Sequence, residues 1–273
     1  AVFAPIAISG PTVTIRKESK RLFSEQNLLD SETITPQLAE FFRIAVQARQ
    51  NILISGGASS GKTTTLNLLS SYIPDTARII TIENTPELEL PQGHVIRFRA
   101  PTPSQQENHS HSLRDLIQNA IQMRPDRIVV GECNGDETLA LLHAMNSGHD
   151  GLLTTIQANS PQEALTRLEV MVDRNDTGLP SQTIRHQILT SIDLIVQQTR
   201  FSDGSRRITH ISEITGMENN VVSFQDIFGY NPSGSGQAGQ AHGQLRPTGL
   251  VPQFFGSLRE RGISPDLTIF SLD

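Results

Sequence analysis

Tryptophan is absent from this 273-residue chain, tyrosine occurs twice and cysteine once, at Cys133. With one thiol, no intrachain disulfide and no cysteine-based zinc site can form, which fits a reducing compartment. With aromatic residues at only 5%, the chain is poor material for a sugar-binding or base-stacking platform. No apolar run approaches the roughly 20 residues that a membrane helix needs. The first eight residues lack the charged start and long apolar core of a signal peptide. A basic excess is missing as well. The net charge is −6, which argues against a chain that binds nucleic acid over its whole surface. Arg16-Lys17 with Lys20-Arg21 forms a local basic patch, for which a solvated surface is an equal reading.

What is present suits one α/β domain, or one domain with an appendage. Apolar runs predict strands over residues 51–55, 78–83, 94–99, 127–132 and 151–156. Helical spacing predicts helices over 64–69, 112–122, 136–145 and 161–172. Another helix is predicted to open at Thr35-Pro36, with threonine as N-cap and proline in the first turn. Alternating elements of this size predict a largely parallel sheet with helices on both faces. Two later strands, 192–198 and 207–214, precede a predicted β-hairpin that turns at Glu218-Asn-Asn220. Residues 230–244 read as a linker from their Gly, Ser, Pro and Gln content. Phe254, Phe255 and Leu258 predict a small packed helix. Alternation at 11–17 predicts a strand. There is no initiating methionine, so residues 1–20 read as the end of an N-terminal domain or a linker. The expected division is therefore 1–20, a core at 21–228 and an appendage at 229–273.

The most specific motif is Gly56-Gly-Ala-Ser-Ser-Gly-Lys-Thr63, the P-loop pattern, between a predicted strand and a predicted helix. Glycines let the backbone curl so that successive N–H groups point at phosphate oxygens. The following helix N-terminus adds positive partial charge. The predicted nucleotide-binding residues are Gly57, Ala58, Ser59, Ser60, Gly61, Lys62, Thr63 and Thr64. Lys62 is expected to reach the β- and γ-phosphates, and the Thr63 hydroxyl to ligate Mg²⁺. The motif identifies a nucleoside triphosphate site without saying what the energy drives.

Hydrolysis also needs a group that orients or deprotonates water. In an open α/β sheet such groups stand at the carboxyl ends of strands. Glu83 and Glu132 both end apolar strands, so either is a candidate catalytic acid, with an exposed strand-end charge as the alternative. Gly131 stands where many P-loop enzymes carry a magnesium-ordering aspartate. Gln157 ends a strand and is a candidate γ-phosphate sensor, or a surface amide. The eight histidines show no metal-ligand spacing; His109 and His111 flank a serine in a polar stretch, and His149 sits in a Gly-His-Asp-Gly turn.

With these residues assembled, the chain resembles the type II/type IV secretion ATPases, and within them the branch that serves tight-adherence (Tad/Flp) pili. The resemblance runs from about residue 10 to 228. It is carried by residues 51–64, by Thr81-Ile-Glu-Asn-Thr-Pro-Glu-Leu88, and by residues 122–135 with their Met-Arg-Pro-Asp-Arg core. It is carried also by residues 144–160 around Gly-His-Asp-Gly, by Asp203-Gly-Ser-Arg-Arg207 and by Glu213-Ile-Thr-Gly-Met217. The resemblance implies a RecA-like P-loop NTPase core and a hexameric homo-oligomer using Mg²⁺ with ATP. It implies work on an inner-membrane platform protein from the cytoplasmic side, in pilus assembly or secretion. Arg16 matches a family arginine expected to contact nucleotide phosphate.

Four positions depart from the family pattern. Asn84 replaces an aspartate, Gln122 and Asn134 replace arginines, and Gln157 replaces a histidine. Amides keep hydrogen-bonding capacity but lose charge, and glutamine cannot take up a proton as histidine does. Three readings follow: a secretion or pilus motor, a nucleotide-binding paralogue that hydrolyses slowly, or a nucleic-acid-translocating ATPase of similar fold. The acidic charge and the pilus-type motifs count against the third, and the survival of Lys62, Thr63, Glu83 and Glu132 favours the first over the second.

Overall fold

The computed structural model describes residues 1–15, 24–100, 111–174, 178–232, 243–258, 260 and 265–272. Among them nine strands form one sheet: β1 (Ile52–Gly56), β2 (Ile79–Glu83), β3 (Val95–Arg99), β4 (Arg127–Cys133), β5 (Leu153–Gln157), β6 (Leu194–Arg200), β7 (Arg206–Glu218), β8 (Val221–Pro232) and β9 (Gly243–Pro247). Their order is β3-β2-β4-β5-β1-β6-β7-β8-β9. Every pair from β3 to β6 is parallel. From β6 onward the sheet continues antiparallel. The predicted α/β class with a mostly parallel sheet holds.

The inner parallel strands are buried on both faces by the helix layers, whereas the edge strand β3 leaves Arg97 and Arg99 exposed. Ile52 and Ile54 of β1 join one core layer, with α1 (Glu25–Asp30), α2 (Pro36–Gln47) and α3 (Lys62–Ser71) over it. Leu53 points the other way, into a layer covered by α4 (Leu113–Gln122), α5 (Thr138–Asn146), α6 (Pro161–Asp173) and α7 (Ser181–Ser191). Val129 against Ile128 and Val130, and Leu194 against Ile195, repeat this alternation. Each such side chain, fully buried, stabilises the fold by about 1.5–3 kcal/mol. Local signals set the helix starts: Thr35 accepts from Leu38 N, Ser112 forms a capping box with Asp115, and Ser160 accepts from Glu163 N.

The predicted hairpin is β7–β8, turning at Asn219 and Asn220, both with positive φ, as a tight two-residue turn requires. β8 is longer than expected and runs through the 228/229 position. β9 then adds to the same sheet. Beyond it, α8 (Phe255–Leu258) and a 3-10 turn (Leu267–Phe270) pack on α2, with Phe255 and Phe270 around Phe41. The strand expected over 11–17 is reduced, in its described part, to one bridge between Val2 and Thr12. Val13 and Ile15 are exposed, so their alternation has no face to bury. Arg16, Lys17, Lys20, Arg21 and His109 lie outside the described residues, as do residues 233–242 of the predicted linker.

Candidate functional site

Because β1, β2, β4, β5 and β6 are parallel, their carboxyl ends share one edge of the sheet. Gly56 stands opposite Gln157 of β5 on one side and Gln198 of β6 on the other. The chain leaves β1 toward β2 on one side while β6 lies on the other, the kind of switch point where open α/β sheets bind ligands.

The Gly56–Thr63 segment leaves this edge as a tight loop. Ser59 has φ +57° and Gly61 φ +100°; a β-carbon at Gly61 would be strained and would meet Gln198 Nε2 at 2.9 Å. A β-carbon at Gly56 would meet Ser60 Oγ at 2.4 Å and the Gln198 carbonyl at 2.5 Å. Only glycine fits either position. α3 begins at Gly61 with no side-chain cap, unlike α2, α4 and α6. Its first amides are left to an anion, which a helix N-terminus favours. Inside the curl, Ser60 Oγ is buried with no hydrogen-bond partner among the described residues.

Lys62 Nζ donates to the carbonyls of Gly56 (3.0 Å) and Gly57 (2.9 Å). An ammonium has three N–H donors, so one remains for a phosphate oxygen. Burial holds the Lys62 ammonium below its ordinary pKa; the Glu132 carboxylate opposes this and the Arg167 guanidinium of α6 reinforces it.

The two candidate acids differ in circumstance. Glu132 is half-buried on β4, within the register shift between Val130 and Cys133, and Asn134 Nδ2 lies 3.5 Å from its Oε2. Glu83 is buried at the end of β2. Its Oε1 accepts the Glu87 and Leu88 amides, both at 2.8 Å. Burial raises its pKa, while those two amides and Arg97 pull it down. A β-carbon at Gly131 would lie 3.2 Å from Glu83 Cγ, so the glycine before Glu132 makes room for Glu83. Gln157 is exposed beside Gly56. Asn84 and Gln122 are exposed away from these contacts.

Oxygen donors of this type suit Mg²⁺, which keeps several waters and is commonly bound with substrate phosphates. Among the described residues no three His, Cys, Asp or Glu gather to hold a metal ion. The Thr63 hydroxyl, in the first turn of α3, is an oxygen donor that would suit an ion shared with phosphate rather than caged by protein.

Sequence reasoning did not single out Asn159, Arg167, Gln198 or Arg206. Asn159 Oδ1 would lie 3.3 Å from a β-carbon at Gly57. Gln198 is buried and accepts from Thr65 Oγ1 at 2.9 Å, and Arg206 Nε donates to Ser59 O at 3.0 Å. The available signals were the quoted motifs at 203–207 and 144–160, which contain Arg206 and Asn159, and the polar pair Gln197-Gln198 closing the apolar run of β6.

Residues 3–244 match the family described as type II/IV secretion system protein. The conjugal transfer protein TrbB of Rhizobium radiobacter is 34% identical over 220 residues, 79% of this chain and 64% of TrbB. An uncharacterized protein of Methanocaldococcus jannaschii is 46% identical over 160 residues, 56% of this chain and 22% of that protein. Among solved structures, the VirB11 ATPase of the Brucella suis type IV secretion system, in complex with sulphate, is similar. It has 29% sequence identity and a TM-score of 0.58, and the match covers 72% of this chain and 64% of that one. The chain therefore spans less than two thirds of the length of these relatives.

Proposed function

The chain belongs to the type II/IV secretion system protein family, and from that premise we propose that it is a Mg-ATP-hydrolysing motor ATPase. The observation that carries this reading is the Gly56–Thr63 loop. It curls at the end of β1 under an uncapped helix N-terminus, with Lys62 turned back onto the Gly56 and Gly57 carbonyls. In this reading the loop residues 57–64 hold the β- and γ-phosphates through Lys62 and through their amides other than that of Ser60, which donates to Gly57 O. Thr63 would hold magnesium through its hydroxyl, and the ion, when bound, would supply charge neutralisation at the transferring phosphoryl group. Glu132 orients a water and accepts its proton as the water oxygen bonds to the γ-phosphorus. The bond from that phosphorus to the bridging oxygen breaks, and ADP leaves with the bridging oxygen. Gln157, one strand from the loop, senses the γ-phosphate through its amide. Glu83 supports the edge by fixing the turn at Glu87 and Leu88. Arg16, outside the described residues, is proposed to reach the phosphates.

We place the chain in the Tad/Flp pilus branch on the motifs at 51–64 and 122–160. The proposal includes a hexameric ring docked from the cytoplasm on an inner-membrane platform protein, with a core over 21–228. Among the described residues no helix is long and apolar enough to cross a membrane, which accords with peripheral docking. A second reading, a slowly hydrolysing partner subunit, draws on Asn134 beside Glu132 and on Gln157, amides where the family pattern has an arginine and a histidine.

The test is steady-state hydrolysis with Mg²⁺ over a range of protein concentrations, with an ATP titration and Lys62→Ala alongside. The motor reading expects specific activity that rises with concentration and vanishes in Lys62→Ala together with binding. Tight binding without turnover at any concentration overturns it in favour of the partner subunit. Unchanged binding in Lys62→Ala removes the site altogether.

A further inference from the structure

The phosphate loop is held from outside the parallel core. β6 and β7 are joined by a five-residue turn whose shape is fixed internally: Asp203 Oδ1 accepts Ser205 N at 2.9 Å and Ser205 Oγ at 2.6 Å, and Phe201 N donates to Ser205 O at 2.9 Å. Arg206 follows this turn as the first residue of β7. Its Nε donates to the Ser59 carbonyl at 3.0 Å across 147 residues of sequence. The N–H at the other end of the same peptide, that of Ser60, donates to Gly57 O at 3.3 Å. A planar peptide carries its C=O and N–H on opposite sides, so these two bonds pin the Ser59–Ser60 unit at both polar ends. Ser59 has a φ of +57°, which an L-residue with a side chain adopts at a cost unless its surroundings hold it. Gln198 supports the loop from below through Thr65. The Arg206 side chain is exposed and donates no other hydrogen bond among the described residues.

We propose that Arg206 is a positioning residue of the nucleotide site: from the antiparallel extension it fixes the Ser59–Ser60 peptide, and so the inward aim of the loop amides that take phosphate. This rests on the nucleotide reading above. Without that bond the peptide rotates in the free protein, and nucleotide binding must then freeze it. The effect falls on affinity more than on the chemical step, because Arg206 touches the loop and not the reacting atoms. The arrangement makes the β6–β7 turn a lever on nucleotide affinity.

The experiment compares Arg206→Ala, Arg206→Lys and Lys62→Ala, by titration with a fluorescent ATP analogue and Mg²⁺ and by steady-state kinetics. Arg206→Ala is expected to raise Kd and KM about tenfold with a much smaller change in kcat. Arg206→Lys, which still donates an N–H, is expected to recover part of that loss. Parental affinity in Arg206→Ala, with binding abolished in Lys62→Ala, overturns the inference and leaves the nucleotide site standing. Parental affinity in both variants removes the nucleotide site itself. A loss shared equally by kcat, or one that lysine does not relieve, overturns positioning through donation.

Discussion

Glu83, the last residue of β2, and Glu132, one residue before the end of neighbouring β4, place the same side chain in opposite circumstances. Glu83 is buried, and one of its oxygens is committed to two backbone amides. Glu132 is half-buried, and among the described residues its carboxylate accepts only the long bond from Asn134. General-base catalysis contributes about 10²–10⁴-fold, so Glu132→Gln is expected to slow single-turnover hydrolysis at least about 100-fold while ATP affinity stays within a few-fold. Parental turnover in that variant would move the role to Glu83. At the opposite edge of the sheet, Asp193 shows how burial acts without chemistry. Its pKa is raised to about 6, by burial first and then by Asp150 and Glu213, against the pull of the Asn51 amide. An ordinary aspartate titrates near 3.8. Between about pH 4 and pH 6 the folded chain therefore binds more protons than the unfolded chain, and stability falls as pH rises. Asp193→Asn keeps an acceptor for the 2.7 Å bond from Asn51 N and removes the charge. Thermal melts should show it more stable than the parent at pH 7.5, by no more than about 3 kcal/mol, with the difference vanishing near pH 4. A difference independent of pH would mean that charge burial at Asp193 is not its origin.

Asn51 works at the scale of elements. Standing just before β1, it accepts the Gly151 and Leu152 amides at 2.9 Å and donates to Ser191 O at 2.7 Å. One buried side chain thus ties the starts of β1 and β5 to the end of α7. Asn51→Ala leaves three buried polar groups without partners, and a loss on the order of 3 kcal/mol is expected. Urea titration should show a lower midpoint with an unchanged slope; a shallower slope would indicate a change of native or denatured compactness instead. Elements were legible in the sequence where the signal was local. Thr35-Pro36 announced α2, and eight contiguous residues announced the phosphate loop, because glycines, lysine and threonine there act through their own backbone. The full length of β8 was not legible, because Tyr230 to Pro232 read as linker, while the pairing with β9 that extends the strand depends on residues further along the chain. The strand expected at 11–17 failed for the converse reason: alternation was present but no face covered Val13 and Ile15. Within the site, Gln198 and Arg206 were missed because they reach the loop from 133 and 147 residues away.

Across the whole molecule, the antiparallel extension and the C-terminal segments share a core with the phosphate loop's own helix. Phe41 of α2 lies within 5.3–6.3 Å, centroid to centroid, of Phe42, Phe228, Phe254, Phe255 and Phe270. The same core layer contains Leu66 and Leu69 of α3. Residues that precede the loop and residues at the far end of the chain are thus packed into one body around a single ring. Phe41→Ala is expected to cost about 3–5 kcal/mol, and Phe41→Leu, nearer in volume, less than half of that. The chain has no tryptophan, so far-UV circular dichroism rather than indole fluorescence is the measurement. A shared core requires one cooperative transition that moves as a unit to lower temperature in Phe41→Ala, carrying nucleotide affinity down with it as α3 loses its floor. If the C-terminal residues instead melted in a separate, earlier step while ATP binding stayed at the parental level, the phenylalanine cluster would be holding an appendage to the molecule rather than supporting the phosphate loop.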